Sequence, residues 1–170
     1  MSTLLRPLEV TLAALDRAAQ WLIVILMTTM VTVVSAQVLL RYGFNSSIGW
    51  AEEISRLTFV WSIFLGIPLG IKAGSHIGIE LLTARLPATL RNGIASLIAG
   101  LGAALMLLVC YEAAVITYTQ WDEKLASADF SAALFVLAVA VGSAHSALHL
   151  IWLAATGERK ADQDVTKVLE

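Results

Sequence analysis

In a chain of 170 residues, 58% are hydrophobic and only 14% charged, and the mean hydropathy is +0.80, which is more apolar surface than a water-soluble domain of this size can bury. The formal charge of −2 and the lack of a long basic tract argue against nucleic acid as a partner. The single cysteine, Cys110, excludes an internal disulfide, and no CxxC, GxSxG, phosphate loop or HExxH motif occurs, so no cofactor, metal or catalytic centre is expected and the chain reads as a non-enzyme in a lipid bilayer.

At the N-terminus Leu5, Leu8, Leu12, Leu15 and Ala19 recur at spacings of three and four, while Arg6, Glu9, Asp16 and Arg17 fill other faces. This predicts either a short amphipathic helix in the membrane interface or a helical extension of the first span. The first span, about 21–40, is apolar and uncharged, and at about 1.5 Å per residue it matches a hydrocarbon core of roughly 30 Å. A second span covers about 54–72, with a short apolar centre from Leu57 to Ile71 and charged ends that reach outward. The third and fourth cover about 93–116 and 131–155. The expected fold is therefore an all-α membrane protein, four transmembrane helices in one bundle over residues 1–156, followed by a solvated tail, 157–170.

Lysine and arginine set the orientation. Arg6 and Arg17, then Lys72, Arg85 and Arg91, then Arg159, Lys160 and Lys167 fall on one side, and Arg41, Arg56 and Lys124 on the other. The positive-inside rule puts both termini and the middle connection in the cytoplasm.

The second span carries the densest pattern. Gly66, Gly70, Gly74 and Gly78 recur every fourth residue, with Ser62 one step earlier, a small-residue face that lets another helix approach closely. It serves either internal packing or a partner subunit. The third span repeats the device with Ala95, Ala99 and Ala103, and beside it Ser96, Gly100 and Ala104. Pro68 is expected to bend the helix or free a carbonyl. Glu52 and Glu53 are spaced to pair with Arg56, Trp50 and Trp61 are candidate interface anchors, and Lys72, His76 and Glu80 stand four apart at the other end.

Two features invite other functions. Glu112 in the third span could serve a self-sufficient small carrier, and His145 with His149 could suggest a haem-binding bundle. Two histidines on one helix face cannot clamp one iron, so a polar stripe between helices is the reading preferred here.

Arg41, then Trp50, Glu52, Glu53 and Arg56, then Phe64-Leu65-Gly66, Lys72, His76-Ile77, Glu80 and Leu86-Pro87 together resemble the small membrane subunit of tripartite ATP-independent periplasmic (TRAP) transporters, the DctQ-like family. The resemblance implies a non-catalytic scaffold in the bacterial inner membrane. It would brace a large TRAP membrane subunit that holds the substrate and sodium sites, and help dock a periplasmic substrate-binding protein that delivers an organic anion. Arg41, Glu52, Glu53, Arg56, Gly66, Gly70, Lys72, His76 and Glu80 are then candidate subunit-interface residues. Trp121, Asp122 and Glu123, in the acidic third connection, are candidate docking residues.

Overall fold

The computed structural model describes residues 2–73, 88–127 and 129–156. These form four helices: α1 (Ser2–Gly43), α2 (Ala51–Lys72), α3 (Ala88–Thr119) and α4 (Ala133–Thr156). Each contains a stretch long and apolar enough to cross a membrane. The N-terminal segment is no separate element, because α1 runs unbroken for 42 residues. At 1.5 Å per residue it is about 63 Å long, twice a hydrocarbon core, so part of it must project. Residues 131 and 132, expected in the fourth span, belong instead to the connection before it. His76, Glu80, Gly74, Gly78 and the tail lie outside the described residues.

The helices pack as an open row. α1 lies on α2, α2 on α4 and α4 on α3, and α1 touches α4 only locally. The four expected helices are thus present as a layer in which α2 and α4 are central. The buried positions follow this order, since half of the most apolar window of α4 is buried and none of that of α1.

A narrow seam joins α1 to its neighbours. Leu12, Asp16 and Ala19 are buried, and Ile23, Leu26, Met30, Val33, Gln37 and Leu40 are half-buried, at alternating steps of four and three. That 3.5-residue period is the signature of a coiled-coil seam. The sequence reading put Asp16 on a face away from Leu12 and Ala19. One helical turn instead places it between them, and it is only 3% exposed.

Two connections meet at one end of the layer. In the first, Ile48 donates its N–H to Gln37 Oε1 at 2.9 Å, and Asn45 takes a positive φ of 48°, which asparagine tolerates better than most residues. In the second, Leu125 donates to the Phe130 carbonyl at 2.9 Å and Ala132 to that of Glu123 at 2.7 Å, which folds 120–132 back on itself. Ser127 then donates its N–H to Glu53 Oε1 at 3.0 Å, fastening this turn to the first turn of α2. Glu53 is therefore engaged across the layer, and among the described residues no Glu52–Arg56 or Glu53–Arg56 ion pair forms.

The middle of the row depends on Pro68. α2 continues through it, but proline lacks the N–H that would bond the carbonyl four residues back, that of Phe64. Gly142 of α4 packs on that freed carbonyl. A Cβ on Gly142 would lie 2.8 Å from Phe64 Cβ and 2.9 Å from its carbonyl carbon, and closer still to the oxygen. In the native chain a glycine hydrogen points there, a contact of the weak Cα–H···O=C type. Nearby, Trp61 donates its indole N–H to the Leu134 carbonyl at 3.1 Å, so it braces α2 against the start of α4. Of the two small-residue rows on α3, the one with buried Ala99 and Ala103 faces α4, with Gly102 against Leu150. In the other row Ser96 donates to the Ala154 carbonyl at 2.8 Å, while Gly100 and Ala104 are exposed.

Candidate functional site: a buried ionic cluster and an open glycine face

Among the described residues one group of ionisable side chains is enclosed. Asp16 of α1 receives Lys72, the last residue of α2, on its Oδ2. Its Oδ1 meets His149 Nε2 at 2.7 Å and His145 Nε2 at 3.0 Å, both from α4. The histidines are one helical turn apart, so a single face delivers both, with ring centroids 5.0 Å apart. The Asp16 side chain is 4% exposed and that of Lys72 38%, so the cluster opens only on the lysine side. With both imidazoles neutral, the carboxylate and ammonium cancel. Every carboxylate oxygen then has a partner, the condition for tolerable burial of charge.

The cluster explains the histidine pair. They are a polar stripe between helices, as preferred from the sequence, but their acceptor is a residue of the N-terminal extension. Lys72 likewise points to Asp16 of its own chain, 56 residues earlier. Glu112 is elsewhere, exposed on α3 near Thr119. Among the described residues no other buried histidine–carboxylate group accompanies it.

The glycine face divides. A Cβ added to Gly66 would meet nothing within 4 Å, so among the described residues no other helix packs on this glycine. Phe59, Ile63 and Ile67 beside it are 48%, 45% and 40% exposed, forming one apolar face on α2. The glycine under steric pressure is Gly142 of α4. Arg41, Glu52 and Arg56 are exposed near one end of the layer, and Gly70 is half-buried on α2. Trp121, Asp122 and Glu123 are exposed on the folded turn at that same end.

These features define a multi-pass α-helical membrane protein: a thin helical layer with wide apolar faces and, among the described residues, one buried ionic cluster. Comparison with known proteins specifies it further. The sequence model of the family described as "Tripartite ATP-independent periplasmic transporters, DctQ component" matches residues 30–159. A TRAP transporter small permease protein of Haemophilus influenzae is 28% identical over 151 residues, 88% of this chain and 90% of that protein. A C4-dicarboxylate TRAP transporter small permease protein of Vibrio cholerae is 36% identical over 77 residues, 45% of this chain and 33% of that protein. A sialic acid TRAP transporter permease protein of Haemophilus influenzae is 31% identical over 78 residues, 46% of this chain but 13% of that protein. Two of these three relatives are thus matched over less than half their own length. The chain belongs to the DctQ family of TRAP transporter small permease components.

Proposed function

We propose that this subunit braces a large membrane subunit and helps dock a periplasmic binding protein, in a sodium-driven transporter for organic anions of the bacterial inner membrane. It performs no catalysis and holds no substrate. In this reading both termini face the cytoplasm, which the lysine and arginine distribution supports, and the end with Trp121, Asp122 and Glu123 faces the periplasm.

The observation that carries this reading is the open face of α2. Gly66 sits among exposed Phe59, Ile63 and Ile67 with no other helix of the described residues against it. In lipid, small-residue faces are a main source of close helix packing, so a glycine left open by its own fold suits a helix from another chain. The long sialic acid relative supports this, because only 13% of its length corresponds to this chain and so the homologous region is there joined to a much larger permease. The anion class rests on the carboxylates in the relatives' names, C4-dicarboxylate and sialic acid.

Co-expression with the large subunit tests the brace. Gly66→Leu is expected to reduce the co-purified large subunit at least about tenfold, the loss of about 1.4 kcal/mol of association, while the variant alone keeps its helical circular dichroism. Undiminished co-purification would remove this face from the interface. Docking has its own test. Asp122→Lys with Glu123→Lys is expected to slow binding-protein-dependent uptake, most strongly at low salt, because rim charges act on encounter rates. Unchanged uptake would exclude that turn as a docking surface.

A further inference from the structure

We propose that Asp16, His145 and His149 form a binding site for a divalent transition-metal ion of the zinc class, for which Lys72 is the competing resident cation. The site is independent of the transport reading above.

Donor chemistry and placement carry the inference. One carboxylate oxygen and two imidazole nitrogens, each able to ligate, lie within 4.8 Å of one another, and all three residues are buried. Histidines at i and i+4 on one helix are a frequent metal-binding pair, and a carboxylate from a second helix completes three protein ligands with a fourth position free. Zinc holds nitrogen and oxygen at about 2.0–2.2 Å, which puts tetrahedral ligands roughly 3.3 Å apart. From the present Oδ1–Nε2 separations of 2.7 and 3.0 Å these two edges would open by roughly 0.6 and 0.3 Å. Imidazole donors select zinc, copper, nickel or cobalt over sodium, magnesium or calcium, which prefer oxygen.

Charge determines what must move. Asp16 and Lys72 cancel, so an entering dication would share a small buried space with an ammonium. Lys72 has to leave, and it can: it ends α2 and its side chain is 38% exposed, against 4% for Asp16. Each imidazole now meets Asp16 through Nε2. Ligation would use an Nε2 lone pair, so a ring that now donates from Nε2 has to carry that proton on Nδ1 instead, a change of tautomer with no net proton lost. Metal and lysine thus alternate on the same carboxylate: the lysine ties α1 to α2, and the metal would tie α1 to α4.

The test uses the full-length chain, purified in detergent with any affinity tag removed and stripped by chelator, then titrated with Co²⁺ while visible absorption is recorded. The expected result is saturable absorption, abolished by Zn²⁺. His149→Ala should weaken Co²⁺ binding at least about tenfold, by analogy with the cost of losing even an outer partner, and Lys72→Met should tighten it by a similar factor. His145→Gln replaces His149→Ala if the latter loses its helical circular dichroism. No saturable absorption in either the native chain or Lys72→Met would overturn the proposal. So would undiminished binding in the histidine variant, which would place the ion elsewhere.

Discussion

Gly142→Ala is expected to lower the thermal stability of the protein in detergent, although alanine is the better helix former by about 1 kcal/mol. The added methyl would lie 2.8 Å from Phe64 Cβ and 2.9 Å from the Phe64 carbonyl carbon, mostly against backbone that cannot rotate aside. Overpacking of this kind costs about 1–3 kcal/mol, and a rigid neighbour puts it at the upper end. The strain falls on the α2–α4 contact, the middle joint of the row, so α1–α2 and α3–α4 should separate as pairs. Gly66→Ala and Gly100→Ala are the controls, because neither methyl would meet anything within 4 Å. Both should leave the melting temperature of the isolated chain unchanged or slightly raised. Equal melting of all three variants would show that α4 does not press on the carbonyl freed by Pro68.

Asp16→Ala is expected to be the other severe change. It removes the shared acceptor of Lys72, His145 and His149, and breaking a buried charge pair by deleting one member costs about 3–5 kcal/mol. The loss should sit near the lower figure, about 3 kcal/mol, because Lys72 can turn to solvent. The damage should also be local. The cluster joins buried Leu12 and Ala19 in tying the N-terminal half of α1 to the rest of the layer, so amide hydrogen exchange should rise before Ile23 and stay unchanged in α3. Asp16→Asn should cost less, since its amide oxygen still accepts one histidine. An exchange pattern unaltered in α1 would contradict the cluster.

The helices were legible because hydropathy and length alone demand four spans, although α1 begins well before the 21–40 expected for the first of them. The Arg41 to Pro87 pattern was enough to suggest the family. The buried cluster was not read, because its members come from three helices and Asp16 is separated from His145 by 129 residues. A signal was nevertheless present. The steps of four and three from Leu12 through Ile23 to Leu40 include Asp16 and Gln37, and a polar residue on such a seam calls for a partner. The glycines divided for a similar reason. Gly66 and Gly142 are each a glycine in an apolar helix, and spacing favoured the row of four. Only the tertiary arrangement shows that Pro68 exposes a carbonyl beneath Gly142 and that no other helix of the described residues covers Gly66.

The central claim, that the open face of α2 is where the large subunit packs, is tested most directly by disulfide cross-linking in native membranes. The one native cysteine, Cys110, is half-buried on α3 and is first replaced by alanine. Ile63→Cys or Ile67→Cys is then introduced beside Gly66, with Leu101→Cys on the exposed side of α3 as the control. The account predicts that oxidation joins the α2 cysteines to a cysteine scanned along the membrane helices of the large subunit, and that Gly66→Leu abolishes the product while the α3 control never forms it. Cross-linking from Leu101→Cys, with none from Ile63→Cys or Ile67→Cys, would contradict it.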